Sequence, residues 1–248
     1  MGLPDTAHRP WPLPRRPWVV AMQWHDLLFM HWPVPPAVMH ALIPPALALD
    51  TFDGVAWLGI TPFRMAGARP RLVPPLPWLS AFSELNVRTY VTAEGKAGVW
   101  FFSLDASNAL AVRGARTLFH LPYYDAAMTA ESDGSMIRYT STRTHRGAPS
   151  ASFTGRYRPI GSVYHADVGS LDYWLTERYC LYAADRRGRV WRGDIHHTRW
   201  PLQPAEADIA CNTMTDPLRL RLPPRVPLLH FAQRLDVVAW TLEAVAAP

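Results

Sequence analysis

Polar and apolar side chains alternate about a third of the way along the chain, and this alternation predicts its most informative element. Residues 82–91, Phe-Ser-Glu-Leu-Asn-Val-Arg-Thr-Tyr-Val, have the period of an extended strand. Glu84, Asn86, Arg88 and Tyr90 therefore share one face, and the residues between them take the other. Such a polar face is typical of a strand side that meets solvent, but it also fits a strand side that lines a cavity.

A hairpin and a helix follow this strand. Residues 94–96, Glu-Gly-Lys, predict a three-residue turn, so that residues 98–105 return as an antiparallel neighbour. A helix is predicted from Ser107 to Phe119, because apolar residues recur at helical spacing and the residue before Pro122 is restricted to extended backbone. Its predicted apolar positions are Leu110, Ala111, Ala115, Leu118 and Phe119.

The remaining pattern is that of a protein rich in short strands and turns. Strands are predicted at 18–30, 55–62, 125–132, 135–144, 150–158, 161–167, 180–184, 189–197 and 228–245, and short helices at 36–43 and 170–178. Residues 64–79 contain Gly67 and several prolines, and they predict a surface loop that forms a flap. Many antiparallel strands with few helices indicate an α+β, mainly antiparallel β fold.

Composition favours one ordinary domain. Hydrophobic residues make up 49% of the 248 residues and charged residues 18%, which argues against a largely disordered chain. We expect a flexible Pro-rich tail at residues 1–17 and a single domain at 18–248. The net charge of +5 is mild. Because the basic residues at 186–189 are typical of a solvated hairpin tip, no nucleic-acid partner is expected.

Metals, membranes and export are not expected either. Cys180 and Cys211 lack metal-ligand spacing and indicate neither a zinc site nor a disulfide framework. His196 and His197 are adjacent on a predicted strand and point to opposite faces, so they predict no metal site. The sequence contains no signal-peptide pattern and no run of ~18 apolar residues. We therefore expect a cytoplasmic protein without a membrane partner, and the sequence leaves a homo-oligomer open.

Several segments resemble a known superfamily. Phe82-Ser-Glu84 and the segment from Leu110 to Tyr124, which ends in Leu-Pro-Tyr-Tyr, are similar to two motifs of the acetoacetate decarboxylase superfamily. The YqjF-like family of the same fold is closer still, and the resemblance covers residues 17–245. It implies a large closed or cone-shaped β-barrel with a few short helices and an internal cavity. The matching segments are 31–35, 50–59, 99–105, 121–124, 169–171, 177–182 and 197–202.

One departure from the superfamily changes the expected chemistry. The resemblance implies a Schiff-base lysine at the position of Tyr123 and a second lysine at the position of Tyr124. Lys96, the only lysine, lies in the predicted hairpin turn. A Schiff-base enzyme needs a desolvated amine, so we do not expect amine-dependent decarboxylation or any cofactor. A tyrosine in the cavity would instead hydrogen-bond a carbonyl or act as a general acid, and the alternative is an ordinary core tyrosine.

The sequence therefore predicts a binding site for a small anionic or carbonyl-bearing organic molecule in the barrel. Two functions stay open: a protein that only binds the molecule, and a lysine-independent enzyme that uses Glu84 and Tyr123 for proton transfer. We also expect Arg178 to form a structural ion pair with a neighbouring carboxylate. The further predicted ligand-binding residues are Arg88 and Tyr124 in the pocket, with Asn86, Arg116 and His120 behind them.

Overall fold

The computed structural model describes residues 5–76 and 79–246, and the strands in these ranges belong to one sheet. Within these ranges the helices are α1 (Pro36–His40), α2 (Ala109–Leu118) and α3 (Leu171–Thr176), with a 3₁₀ turn at Asp216–Leu218. The strands are β1 (Val20–Val34), β2 (Ala48–Leu49), β3 (Ala56–Pro70), β4 (Phe82–Ala93), β5 (Lys96–Ala106), β6 (Tyr123–Ser132), β7 (Ile137–Arg143), β8 (Ser152–Pro159), β9 (Cys180–Ala184), β10 (Val190–His196), β11 (Gln203–Asn212), β12 (Leu228–Ala239) and β13 (Glu243–Ala244).

Two strands fork, and the forks close the sheet on itself twice. One edge of β5 pairs with β4, while its other edge pairs first with β9 at Val99 and then with β6 at Leu104. In the same way β12 pairs with β1 on one edge and with both β10 and β11 on the other. Among the described strands, a nine-stranded ring therefore runs through β6, β7, β8 and β11, and a seven-stranded ring runs through β9 and β10. Both rings contain β12, β1, β3, β4 and β5.

The predicted fold class is thus confirmed. The pairings of β5 with β6 and with β9 are parallel, and the other strand pairings are antiparallel. The five shared strands form a wall with two faces because successive side chains point to opposite sides. Leu85 and Val87 point towards Tyr139 and Phe153 in the packed interior of the nine-stranded ring. Glu84, Asn86 and Arg88 point the other way, into the seven-stranded ring.

The hairpin between β4 and β5 is tighter than predicted. Ala93 pairs directly with Lys96, which leaves a loop of two residues instead of three. Glu94 and Gly95 both have left-handed backbone, with φ of 51° and 70°. Two positive φ values are typical of the type I′ turn, whose twist matches that of the strands it joins.

One predicted loop and one predicted strand are wrong. The loop predicted at 64–79 is strand as far as Pro70, because this segment pairs with β1 up to the contact between Val20 and Pro70. Residues 77–78 of that predicted loop lie outside the described residues. The strand predicted at 161–167 is absent from the described structure apart from one bridge between Tyr164 and Leu202. Its place beside β8 is taken by β11, which was not predicted.

The helix α2 differs from its prediction in its buried face. Its N-terminus is capped by the Asn108 side chain, which accepts hydrogen bonds from the backbone N–H groups of Leu110 and Ala111. Val112 is the buried residue, whereas Leu110 and Leu118 are 52% and 69% exposed. Among the described residues, no helix combines the length and apolar character needed to cross a membrane.

The tail from residue 5 onwards is packed against the domain, which contradicts the expected flexible segment. Arg9 is 9% exposed and donates a hydrogen bond of 2.6 Å to the carbonyl of Ile195. The indole N–H of Trp11 donates to Asp194 at 3.0 Å. A buried arginine needs such partners, and the acidic Asp194 lies 3.8 Å from its guanidinium group. These long-range contacts explain why composition alone gave the wrong picture of the tail.

Candidate functional site

A cavity of about 400 Å³ lies inside the seven-stranded ring. This volume falls within the range of small-molecule sites. Its walls come from the shared strands, from β9 and β10, and from α2, which covers one side. Most of the lining is apolar, including Trp24, Phe63, Phe101, Leu181 and Trp200. Polar side chains occupy a limited part of the lining, so the cavity is suited to an organic molecule with one polar group.

Glu84 and Tyr123 form the central polar pair of this lining. Glu84 on β4 is 3% exposed, and the Tyr123 hydroxyl donates a hydrogen bond of 2.9 Å to its Oε2 atom. Burial raises the pKa of Glu84 to about 8, although the Tyr123 hydrogen bond opposes this shift. Burial and the neighbouring Glu84 raise the pKa of Tyr123 well above its ordinary value of 10. At neutral pH Glu84 is therefore mostly a neutral acid that can donate a hydrogen bond.

The approach of β6 to β5 places Tyr123 beside Glu84. Leu104 of β5 lies opposite Tyr123 and donates a backbone hydrogen bond of 3.0 Å to the carbonyl of Pro122. Arg116 on α2 donates a hydrogen bond to the backbone carbonyl of Tyr123. Because both contacts are made to the backbone, they fix the position of this segment and leave the Tyr123 hydroxyl free to reach Glu84.

The next polar residues of β4 also line the cavity. The Arg88 guanidinium carbon lies 5.1 Å from the centre of the Phe29 ring and 5.8 Å from that of Tyr90. Among the described residues, Arg88 Nε, Asn86 Oδ1 and Thr61 Oγ1 are buried and have no hydrogen-bond partner. Buried polar atoms without partners are rare in folded proteins. Their concentration around one cavity indicates a place for water or a polar ligand group.

Arg178 brings a second buried positive charge to the cavity. It follows α3, and its guanidinium group donates a hydrogen bond of 2.6 Å to Asp50. The predicted structural ion pair of Arg178 is thus confirmed. The same group lies 4.3 Å from the Trp174 ring centre and 4.9 Å from that of Tyr90. Burial lowers the pKa of Arg178, and the charge of Asp50 opposes this shift. Its position in the cavity lining was not predicted, because Arg178 lies far in sequence from the β4 residues on which the predicted site was based.

His197 is a further lining residue that the sequence did not reveal. Its ring lies 3.2 Å from the carbonyl of Arg178 and 2.6 Å from that of Thr198. Burial lowers the pKa of His197 to about 4, so the ring is neutral at pH 7. Across residues 5–76 and 79–246, no group of three or more histidine, cysteine or acidic side chains is placed to hold a metal ion.

The structure brings four of the predicted site residues together: Glu84, Asn86, Arg88 and Tyr123 all line the cavity. The other three are not lining residues: Tyr124 was predicted in the pocket and this position is corrected, whereas Arg116 and His120 were predicted behind the pocket residues. Tyr124 follows Tyr123 on the strand and points to the opposite side, where its ring centre lies 4.2 Å from the guanidinium carbon of Arg143. Arg116 contacts the backbone of Tyr123, as described above. The His120 ring lies 5.7 Å from that of Trp191.

The single lysine of the chain does not reach the cavity. Lys96 is the first residue of β5, and its ammonium group lies 5.6 Å from the centre of the Trp11 ring. Trp11 belongs to the N-terminal tail that covers the outside of the barrel. The cavity lining, as far as the structure describes it, therefore offers carboxyl, phenol, guanidinium and imidazole groups but no primary amine.

Comparison with solved structures defines the class of fold. The chain superimposes on acetoacetate decarboxylase from Legionella pneumophila with a TM-score of 0.61 and 13% identity, over 96% of this chain and 93% of that one. It superimposes on the enduracididine biosynthesis enzyme MppR, complexed with pyruvate, with a TM-score of 0.62 and 11% identity, over 96% and 94%. The protein therefore has the acetoacetate decarboxylase-like fold, as the sequence resemblance implied.

Sequence comparison then gives the family. The DUF2071 family, described as an uncharacterized conserved protein, matches residues 21–236. The chain is also 49% identical to the uncharacterized protein YqjF of Bacillus subtilis over 225 residues, which is 91% of this chain and 92% of YqjF. The chain belongs to this family of YqjF-like proteins.

Proposed function

We propose that this protein binds a small organic molecule with an anionic or carbonyl group inside the seven-stranded ring. The polar group of that molecule lies against Glu84, Arg88 and Tyr123, and its apolar part fills the rest of the cavity. The observation that carries the proposal is the cluster of buried polar atoms without partners at one part of an otherwise apolar cavity. A carboxylate or carbonyl oxygen would accept hydrogen bonds from Arg88 Nε and the Thr61 hydroxyl, whereas Asn86 Oδ1 is an acceptor and needs a donor such as water.

Charge favours an anionic group over a cationic one. Arg88 and Arg178 both line the cavity, whereas Glu84 is mostly neutral at pH 7 because of its raised pKa of about 8. The Asp50 carboxylate is already paired with Arg178 at 2.6 Å. The lining therefore has a surplus of positive charge, which a carboxylate would neutralise.

The neutral acid favours a carbonyl oxygen beside that carboxylate. The Glu84 carboxyl group accepts a hydrogen bond from Tyr123 and still has its own proton to donate. The names of two structural neighbours, an acetoacetate decarboxylase and an enzyme complexed with pyruvate, point to keto acids as compounds to test first. We therefore propose an oxo acid with an apolar substituent as the preferred ligand chemistry.

Thermal unfolding in the presence of small carboxylates, keto acids and ketones tests this proposal. A ligand at about 100 times its dissociation constant adds about 2.7 kcal/mol, and each kcal/mol raises the melting temperature of a domain of this size by roughly 2–4 °C. We expect Arg88→Gln to lose most of the shift. Arg158→Gln is the matched control, because Arg158 is exposed on β8 in the other ring. No shift with any compound, or equal loss in both variants, would contradict the proposal.

A second candidate function is an enzyme that transfers protons without a lysine. The raised pKa of Glu84 and its contact with the Tyr123 hydroxyl favour this alternative, since a general acid works best with a pKa near the working pH. Glu84→Gln keeps the neutral hydrogen-bonding shape but removes the proton. In an enzyme this variant binds ligand and loses turnover, whereas unchanged turnover would exclude the role of Glu84.

A further inference from the structure

We propose that the mouth of the cavity docks on the surface of an anionic lipid bilayer. The mouth is identified by the lining residues that are themselves exposed, namely Pro70 at the end of β3 and Leu110 at the start of α2. The lining includes Arg69 and Pro70 from one segment and Leu110, Ala111, Gly114 and Ala115 from another, and we call residues 69–76 and 110–118, which contain them, the mouth rim. The docking is argued from the rim alone. Its consequence, that a ligand passes between the bilayer and the cavity, rests on the proposed function.

The mouth rim has an unusual concentration of exposed apolar side chains. It contains half of the large hydrophobic residues that are exposed in the described structure. Leu72 at the tip is 93% exposed, and the others are Val73, Leu76, Leu110 and Leu118 at 44%, 40%, 52% and 69%. Clustered apolar side chains at the surface mark a binding face, in contrast to single scattered ones.

Leu72 gives a second and independent reason to assign a role to this rim. Its φ is 66°, in the left-handed region that leucine rarely adopts. The conformation is strained, and the side chain obtains no packing in return because it points into solvent. Strain at an exposed position is typical of segments with a function. A loop that holds a leucine outwards in this way is suited to insertion into an apolar phase.

The charge of the rim selects the kind of surface that it fits. Residues 54–83 and 106–124 contain neither aspartate nor glutamate, while Arg69, Arg71 and Arg113 lie within the rim. Arginines mixed with exposed leucines are typical of interfacial membrane binding, in which apolar groups enter the headgroup boundary and cations contact anionic lipids. Peripheral docking needs no membrane-spanning run, and this is why the sequence did not predict a membrane partner.

Docking in this orientation would turn the cavity towards the bilayer. An apolar molecule with one acidic or carbonyl group partitions into membranes, and it would then pass between the lipid and the cavity without crossing water. The apolar lining of the mouth, with Leu79 and Ala111 next to the exposed residues, suits such a path.

Co-sedimentation of the full chain with lipid vesicles tests the docking. We expect the wild type to sediment with vesicles of equal parts phosphatidylcholine and phosphatidylglycerol, and much less with pure phosphatidylcholine or at high salt. Leu72→Asn should lower the partition coefficient about tenfold, because asparagine tolerates left-handed backbone but does not insert into lipid. Arg71→Glu should lower it further through charge reversal.

Matched controls come from the opposite end of the barrel. Arg225 and Val226 form an adjacent exposed pair like Arg71 and Leu72, and Val226 is 82% exposed. They precede Leu228, which pairs with His31, whereas the mouth lies where Val20 pairs with Pro70. Along β1 these two points are roughly 35 Å apart. Val226→Asn and Arg225→Glu should therefore leave vesicle binding unchanged.

The possible results separate this inference from the proposed function. Failure of the wild type to sediment with the mixed vesicles, or an equal loss in Leu72→Asn and Val226→Asn, would overturn the docking. Ligand-induced thermal shifts are measured without vesicles, so they test the cavity alone. A protein that shows the shifts but ignores vesicles keeps the proposed function and loses the membrane surface.

Discussion

The two faces of the shared wall differ in composition although they belong to the same strands. Ile60 on β3 points into the nine-stranded ring and is fully buried among apolar side chains, whereas its neighbour Thr61 points into the cavity. On β4 the same contrast separates Leu85 from Glu84. One face is filled to exclude water, and the other keeps space and buried polar groups. Alternate residues of one sheet therefore form a packed core on one side and the lining of a cavity on the other.

The nine-stranded ring should be most sensitive at its buried ion pair. The guanidinium group of Arg143 on β7 reaches Asp105 on β5 at 2.6 Å, and both side chains are at most 2% exposed. Arg143→Leu leaves the Asp105 charge buried and alone, so we expect a loss of about 3–5 kcal/mol in urea denaturation. Combining Arg143→Leu with Asp105→Leu should recover much of this loss. A single variant within about 1 kcal/mol of wild type would show that the pair does not hold the ring.

The next largest loss of stability is expected from truncating a side chain on the packed face of the wall. Ile60 is 0% exposed within the core of the nine-stranded ring. Ile60→Ala removes buried methyl groups and leaves a void, which costs about 2–5 kcal/mol. The free energy of unfolding from urea titration measures this effect. A much smaller loss would mean that the interior of this ring is not tightly packed.

On the cavity face, the buried neutral carboxyl group of Glu84 should make the stability of the protein depend on pH. The folded protein holds the Glu84 proton up to a pKa of about 8, while the unfolded chain releases it near the ordinary value of 4.5. Rising pH between these values therefore favours the unfolded state, and the wild type should lose on the order of a few kcal/mol relative to Glu84→Gln. Glu131→Gln, at an exposed position on β6, should follow the wild type. Parallel profiles for wild type and Glu84→Gln would contradict the buried neutral acid.

The smallest effect is expected next to Ile60. Thr61 is fully buried, and its hydroxyl has no partner among the described residues. Thr61→Val keeps the volume and removes the unsatisfied group, so the variant should be unchanged or up to about 1 kcal/mol more stable. A clear loss of stability in the same urea titration would reveal a hydrogen bond to bound water or ligand at this position.

Much of the wall could be predicted because its strands follow local patterns. The alternation in β4 placed Glu84, Asn86 and Arg88 on one face, and the resemblance made that face the interior of a barrel. Tyr123 followed from the same resemblance. Its neighbour Tyr124 was placed wrongly at the pocket, although strand alternation sends consecutive residues to opposite sides.

The forks of the sheet could not be predicted from local sequence. Which strand pairs with each edge of β5 and β12 depends on contacts between segments far apart in the chain. For the same reason no local sequence pattern predicted that Arg178 and His197 line the cavity. The strand β11 was missed because its alternation is carried by small and polar residues, and the tail was judged from its prolines alone. Long-range packing decided each of these cases.

Carbon-13 NMR of the glutamate carboxyl groups, titrated against pH, would test the central claim most directly. Comparison with Glu84→Gln assigns the resonance of Glu84. We predict that this resonance titrates near pH 8 in the free protein, in accord with its raised pKa of about 8, and that it shifts when a keto acid that stabilises the protein is added. A Glu84 resonance that titrates near 4.5, the ordinary glutamate value, and does not respond to any stabilising ligand would contradict the account.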